Sequence, residues 1–173
     1  ATLHENLVES TLFGHRKGAF TGAIENRTGL IELAHQGTLF LDEVGEMPMS
    51  LQKVFLRGLQ ERKFRPIGSG RELHSDFRLV AATNRNLNEL AADARFREDL
   101  LFRLRAIEIH LPPLRERDED VRYIAQDAIA RICEREGVGT KGISPEFAEV
   151  LAAYDWPGNV RELINALEHS VAH

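Results

Sequence analysis

One apolar run constrains the fold more than any other stretch of the chain. Residues 38–41 (Thr-Leu-Phe-Leu) follow a glycine and lead directly into two carboxylates, Asp42 and Glu43. An unbroken run of this length is typical of a buried strand in a parallel sheet. Open α/β sheets bind ligands at the carboxyl ends of their strands, so both acids would lie at that edge. From the residues alone, an acidic turn without a ligand is an equally open interpretation.

A second run of the same kind predicts a neighbouring strand. Residues 77–82 are largely apolar and end in Thr83 and Asn84. Taken alone, Thr-Asn after a strand is more often a helix cap or a turn. The functional interpretation of Thr83 and Asn84 gains weight when their strand lies beside the strand that carries Asp42 and Glu43. One acid can hold Mg²⁺ while the other polarises an attacking water, as phosphoryl transfer requires.

The stretch before these strands is a glycine-rich loop. Gly14, Gly18 and Gly22 recur every four residues, which predicts sharp turns with positive φ. The loop carries one large apolar side chain, Phe20. Two interpretations stay open: Phe20 folds back onto the domain, or a mobile loop presents it to a partner, since aromatic residues anchor interfaces.

The letters of this loop carry a resemblance to a known family. Residues 18–23 match the GAFTGA signature of sigma-54-dependent transcriptional activators, the bacterial enhancer-binding AAA+ ATPases, and Glu9-Ser10 and Leu12–His15 also resemble that family's run. The resemblance implies that the loop contacts the sigma-54 RNA polymerase holoenzyme and couples ATP hydrolysis to remodelling of the closed promoter complex. The implied contact residues are Gly18, Ala19, Phe20, Thr21, Gly22 and Ala23.

The resemblance also implies roles for the polar residues at the strand ends. The run ending in Asp42 and Glu43 resembles a Walker B motif, which places Asp42 on Mg²⁺ and Glu43 on the attacking water. Thr83 and Asn84 correspond to sensor I, near the γ-phosphate. A second loop, residues 64–71, would work alongside the GAFTGA loop. The implied cofactors are ATP and Mg²⁺.

Three arginines receive roles from the same resemblance. Arg97 and Arg103 fall where the family carries arginine fingers that act on a neighbouring subunit, and Arg161 would be the sensor II arginine. These roles require a ring, expected to be a hexamer. By helical pattern alone, Arg97 and Arg103 would be solvated or paired with nearby acids, and Arg161 would be an exposed helix residue.

The chain divides at two prolines, Pro112 and Pro113. We expect an α/β AAA+ core over residues 1–112, whose parallel sheet is incomplete at its N-terminus, a linker over 113–118, and a small all-helical lid subdomain over 119–173. Helical periodicity predicts helices over 3–12, 49–62 and 95–104 in the core and three in the lid. Alternation predicts a final core strand over Ile107–Leu111.

The composition of the chain limits the classes of partner that it is expected to bind. The 173 residues carry a net charge of −5, so a broadly basic nucleic-acid surface is disfavoured, and DNA binding is expected from a separate domain. No apolar run approaches the roughly 18 residues that a membrane span needs. The single cysteine, Cys133, is expected to be a buried thiol and fits a reducing cytoplasm.

One motif of the family does not occur in these residues. The phosphate loop G-x-x-x-x-G-K-[ST] would lie upstream of Ala1, so we expect this chain by itself to bind ATP weakly or not at all. The intact protein would be an ATPase. The alternative is a non-enzymatic module that only docks on the sigma factor.

Overall fold

The computed structural model describes the backbone of residues 2–172 and the burial of side chains 6–117 and 119–171. The chain forms two compact units, Ala1–Glu108 and Ile109–His173. None of the helices in the described part is long and apolar enough to cross a membrane.

The first unit mixes helices and short strands. Its helices are α1 (Thr2–Phe13), α2 (Leu30–Leu33), α3 (Met49–Glu61), α4 (Leu87–Ala92) and α5 (Glu98–Leu104). Its strands are β1 (Gly14–His15), β2 (Arg27–Thr28), β3 (Thr38–Leu41), β4 (Lys63–Phe64), β5 (Leu73–His74) and β6 (Arg78–Ala81). The fold is therefore mixed α/β, as the sequence predicts.

The strands β3 and β6 pair in parallel, as expected. Thr38 lies opposite Arg78, and the register continues to Leu41 opposite Ala81. Their burial differs from the prediction of a fully buried strand, because only Leu39 of β3 is buried and Phe40 is 58% exposed. One face of the pair packs on helices while the other meets solvent, so the burial alternates along the strand.

The core of the first unit is aromatic and aliphatic. Phe55 of α3 and Leu100 of α5 are completely buried, and Phe96 belongs to the same cluster. Leu51 and Phe55 of α3 are buried in this core, whereas Val54 is exposed.

The predicted strand over Ile107–Leu111 is wrong. These residues adopt no regular structure, and Ile107, Ile109 and Leu111 are each 79% exposed. Alternating apolar residues form a strand only beside a partner that accepts their backbone hydrogen bonds. Within residues 2–172 this segment pairs with no other strand.

The second unit is helical, as predicted. Its elements are a short 3₁₀ turn (Leu114–Glu116), α6 (Asp118–Glu136), α7 (Pro145–Ala153) and α8 (Asn159–Ala172). Leu163 and Leu167 of α8 pack with Trp156 in its core. The Ser144 hydroxyl accepts a hydrogen bond from the Phe147 amide, which caps α7. Cys133 is a free, buried thiol, which confirms that prediction.

A buried glutamine ties three segments of the first unit together. The side chain of Gln52 on α3 has no solvent exposure. Its Nε2 donates to the Met47 carbonyl at 2.8 Å and to the Arg95 carbonyl at 3.3 Å. Its Oε1 accepts from the Arg97 amide at 2.8 Å. One amide therefore joins the segment after β3 to the start of α5.

Replacing this glutamine tests its importance. We expect Gln52→Met, which keeps the volume, to lower the free energy of unfolding by about 2–4 kcal/mol, because three backbone groups lose the partner that the Gln52 side chain provides. Denaturant unfolding followed by far-UV circular dichroism measures the change. Intrinsic fluorescence would report on the wrong unit, because Trp156, Tyr123 and Tyr154 all lie in the second unit. The matched control is Gln60→Met at an exposed position of α3, expected within about 0.5 kcal/mol of the wild type. Equal losses for the two variants would contradict the assignment.

Candidate functional site

Parallel pairing brings two polar strand ends to one edge of the sheet. Asp42 and Glu43 follow β3, and Thr83 and Asn84 lie just after β6. The ladder extends past both strands, because the Ala82 amide donates to the Leu41 carbonyl at 2.8 Å and the Val44 amide donates to the Ala82 carbonyl at 3.0 Å. All four polar residues are solvent-exposed. We call this set the acidic edge.

The backbone at Glu43 is unusual. Its φ of 52° and ψ of 42° place it in the left-handed region, which costs a residue with a side chain about 1–2 kcal/mol. The Glu43 amide donates to Oδ1 of Asp42 at 2.9 Å, so the Asp42 carboxylate is bound to the backbone of this left-handed residue. Strained backbone of this kind concentrates at functional sites.

Three further residues, Gly45, Glu46 and Arg85, support the acidic edge. No sequence signal pointed to them. A Cβ placed on Gly45 would lie 2.8 Å from Oγ1 of Thr83, so the close approach of the two strand ends needs glycine there. The same Oγ1 accepts from the Arg85 amide at 3.1 Å. The Arg85 guanidinium pairs with Glu46 at 2.5 Å, which joins the residues following both strands.

An open groove of about 470 Å³ adjoins the acids. Its lining is mainly apolar and includes Leu7 and Val8 of α1 and Leu30 of α2, together with Asp42 and Glu43. Its volume lies in the range of small-molecule sites, which combine apolar walls with a few polar groups.

The two predicted finger arginines have different surroundings. The Arg97 guanidinium makes a two-point contact with Asp99, with Nε to Oδ1 at 2.9 Å and Nη2 to Oδ2 at 2.6 Å. This hydrogen bonding lowers the pKa of Asp99 and raises the pKa of Arg97. Arg103 donates to the Leu59 carbonyl, at 3.5 Å. In the described residues, neither guanidinium bonds to Asp42 or Glu43.

Arg161 lies on the surface of α8 in the second unit. Its neighbour Glu162 has a structural role, accepting from the Gly158 amide at 2.7 Å and from the Tyr154 hydroxyl at 3.2 Å. That hydroxyl contact raises the pKa of Tyr154. No ion pair of Arg161 is found among the described residues, so its side chain is available at the surface.

The GAFTGA residues form the end of a hairpin. Strands β1 and β2 pair antiparallel, with His15 opposite Arg27, and the loop between them turns through Gly18 and Gly22, both with positive φ as predicted. The Gly18 amide donates to the Ala23 carbonyl at 2.8 Å. Phe20 is half-buried and Thr21 is exposed.

The second predicted loop touches the first. Ile67 forms a parallel bridge with His15, with the Arg16 amide donating to the Ile67 carbonyl at 2.9 Å. A Cβ on Gly68 would lie 2.7 Å from the Cβ of Ala19, so the two loops are in close contact.

The strain at Glu43 can be measured by comparing two variants that both remove the carboxylate. We expect Glu43→Gly to be about 1 kcal/mol more stable to unfolding than Glu43→Ala, because glycine adopts the left-handed region without steric cost. Denaturant unfolding followed by far-UV circular dichroism gives both values. If the alanine variant is the more stable, Glu43 is not strained in solution.

Family models match nearly the whole chain. Residues 1–110 match the Sigma-54 interaction domain, and residues 115–173 match an AAA+ ATPase lid domain.

Curated relatives are similar over almost all of these residues. The formate hydrogenlyase transcriptional activator FhlA of Escherichia coli is 49% identical over 99% of the chain, which covers 25% of FhlA. The nitrogen fixation protein VnfA of Azotobacter vinelandii and the regulatory protein AtoC of Escherichia coli are each 48% identical over 99% of the chain, which covers 33% and 37% of them. The chain thus spans 25–37% of the length of these relatives.

Solved structures support the same assignment. The crystal structure of NtrX from Brucella abortus in complex with ATP superposes with a TM-score of 0.88 at 33% identity, covering 97% of this chain and 36% of NtrX. The ADP complex of NtrX gives the same TM-score and identity. The chain therefore belongs to the sigma-54 interaction domain family of sigma-54-dependent transcriptional activators, and its carboxy-terminal part to the AAA+ ATPase lid domain family.

Proposed function

We propose that this chain is the catalytic and sigma-54-contacting part of an ATP-driven transcriptional activator. The observation that carries the proposal is the acidic edge, where Asp42, Glu43, Thr83 and Asn84 meet beside an open groove. The ATP complex of the similar NtrX chain supports nucleotide as the ligand. Because the proposed partner is an RNA polymerase factor, the proposed place of action is the cytoplasm.

Within the acidic edge, Asp42 would hold Mg²⁺ and Glu43 would orient and polarise the attacking water. Magnesium is typically bound through one or two carboxylates together with substrate phosphates, and the exposed Asp42 carboxylate fits that donor set. When bound, the ion would neutralise charge that develops on the phosphates. Thr83 and Asn84 would sense the γ-phosphate through their hydroxyl and amide groups.

Arg97 and Arg103 would act on the nucleotide of a neighbouring subunit in a ring, for which we propose six subunits. The contact with Asp99 holds the Arg97 guanidinium through Nε and Nη2, so the proposed contact with a phosphate would use Nη1. Arg161 would act as sensor II from the lid.

We propose a core over 1–112, a linker over 113–118 and a lid over 119–173. The two family matches support this division, because one ends at residue 110 and the other begins at residue 115.

The residues Gly18–Ala23 would contact sigma-54, and hydrolysis would move them and thereby remodel the closed promoter complex. The direct contact between this loop and the loop at Gly68 supports coupled motion of the two. DNA binding would belong to another domain of the whole protein, consistent with the net charge of −5 on this chain.

Mixing two inactive variants tests both the acids and the action of Arg97 between subunits. We expect Glu43→Gln and Arg97→Ala each to lower ATP hydrolysis by the whole protein at least 100-fold. Their mixture should regain activity, because a ring that contains both has sites with an intact Glu43 from one subunit and an intact Arg97 from the next. Steady-state phosphate release against protein concentration is the measurement.

The controls separate the motor from a docking module. Glu61→Gln on the exposed surface of α3 should retain full activity. Residues 1–173 by themselves should show no ATP hydrolysis. If the whole protein hydrolyses no ATP at any concentration, the ATPase proposal fails; if the mixture stays inactive, Arg97 does not act between subunits.

Phe20→Ala tests the sigma-54 contact separately from hydrolysis. We expect at least a tenfold loss of affinity for isolated sigma-54 in the ATP-bound state, because a partly exposed aromatic anchor carries much of an interface's energy. ATP hydrolysis should stay within about twofold of the wild type. Fluorescence anisotropy with labelled sigma-54 gives the affinity, and Ile24→Ala, beside the loop, is the control. Unchanged affinity of Phe20→Ala would place the contact elsewhere.

A further inference from the structure

A buried polar pair lies beneath the GAFTGA loop and has no place in the nucleotide chemistry. Ser10 is 1% exposed and His15 is 8% exposed. The Ser10 hydroxyl and Nδ1 of His15 share a hydrogen bond of 2.6 Å. Two polar side chains at these depths are costly unless they satisfy each other, so the pair fixes the orientation of the His15 ring.

The fixed ring is the surface on which Phe20 rests. The ring centroids of His15 and Phe20 are 5.0 Å apart, and the planes meet at 66° in an edge-to-face arrangement. Aromatic pairs prefer this geometry. The contact accounts for the half-buried state of Phe20, whereas Ile24, just after the loop, is 80% exposed.

The two partners differ in how firmly they are held. The backbone of His15 is fixed on one side by Arg27 of β2 and on the other by Ile67. Phe20 lies in a turn whose backbone bonds are local: the Gly18 amide donates to the Ala23 carbonyl at 2.8 Å and the Ala23 amide donates to the Phe20 carbonyl at 3.0 Å, while the neighbouring Thr21 is exposed. Loss of the ring contact would therefore release Phe20 and leave His15 in place.

We propose that Ser10 and His15 form a resting seat that holds Phe20 against the domain and withholds it from partners. His15 is a positioning residue that contacts Phe20 directly, and Ser10 acts through His15. The inference rests on the proposed function, because it regulates the same Phe20 that is proposed to contact sigma-54. It adds the two residues that hold the loop in a docked state, the population of which sets how much Phe20 is available.

The strength of an aromatic pair sets the size of the expected effect. Such a contact corresponds to about a two- to tenfold change in an equilibrium constant. When only the released state binds a partner, the apparent affinity scales with the released fraction. Removing the seat should therefore tighten nucleotide-free binding of sigma-54 by about two- to tenfold.

Two variants of the whole protein separate the ring from the hydrogen bond beneath it. His15→Asn keeps a polar group in reach of the Ser10 hydroxyl but removes the ring. The double variant Ser10→Ala/His15→Phe removes the buried hydrogen bond but keeps a ring for Phe20, and replacing both partners by apolar groups costs little. Amide hydrogen exchange over residues 14–24, measured without nucleotide or sigma-54, reports the docked state directly.

We expect His15→Asn to speed exchange in this segment by about two- to tenfold and to tighten nucleotide-free sigma-54 binding by a similar factor. The double variant should stay within about twofold of the wild type in both measurements. If His15→Asn leaves the exchange unchanged, or if the double variant matches His15→Asn, the seat proposal is overturned.

Phe20→Ala keeps the test valid if substitution of buried His15 prevents folding, because it removes the same contact from the loop side. It should speed exchange of the neighbouring amides by about two- to tenfold, and unchanged exchange would overturn the proposal. Where His15→Asn folds, the two variants should match. The combination of both should add little, because each removes the same contact. Additive effects would overturn the proposal. If exchange behaves as expected but no variant, nor the wild type, binds sigma-54, the seat stands and the proposed function fails.

Discussion

The parallel pairing of β3 with β6 is the interaction on which the rest of the site depends. About forty residues separate the two strands along the chain, yet Leu41 lies opposite Ala81. Because parallel strands end at the same edge, the pairing alone brings Asp42 and Glu43 beside Thr83 and Asn84. Leu39, buried against the cluster that contains Phe55 and Leu100, anchors the pair to the helices. Any change that shifts this register separates the acids from the residues proposed to sense the phosphate.

The acidic edge and the proposed finger share one buried support. Gln52 bonds to the Met47 carbonyl, a few residues beyond Glu43, and to the Arg97 amide at the start of α5. Within a subunit, Glu43 is proposed to act on the subunit's own nucleotide and Arg97 on the nucleotide of its neighbour. The Gln52 side chain thus joins the segments that carry these two residues. A displacement at one of them strains the same hydrogen-bond set as a displacement at the other. This is a physical route by which neighbouring sites in a ring could influence each other.

Sequence patterns identified the elements better than the contacts between them. Strands β3 and β6, the hairpin glycines and the three lid helices could be predicted, because burial and backbone conformation leave a periodic or compositional signal. Gln52 could not, since a glutamine inside an amphipathic helix gives the signal of a surface residue. Gly45 and the Arg85–Glu46 pair depend on strand register, which no local pattern encodes. The strand expected over Ile107–Leu111 is absent because alternation says which side chains share a face, not whether a partner strand is present.

The two interpretations of Phe20 that the sequence left open become two states of one loop. A side chain that folds back onto His15 is withheld from solvent and from chance partners, and one that leaves it becomes an anchor. Switching of Phe20 between these two states is useful only if its contact with the seat is weak. A contact strong enough to hold Phe20 permanently would consume the binding energy that the partner supplies, because a ligand shifts an equilibrium only by its differential affinity. An edge-to-face pair on a rigid ring is weak enough to be released and specific enough to define the resting state.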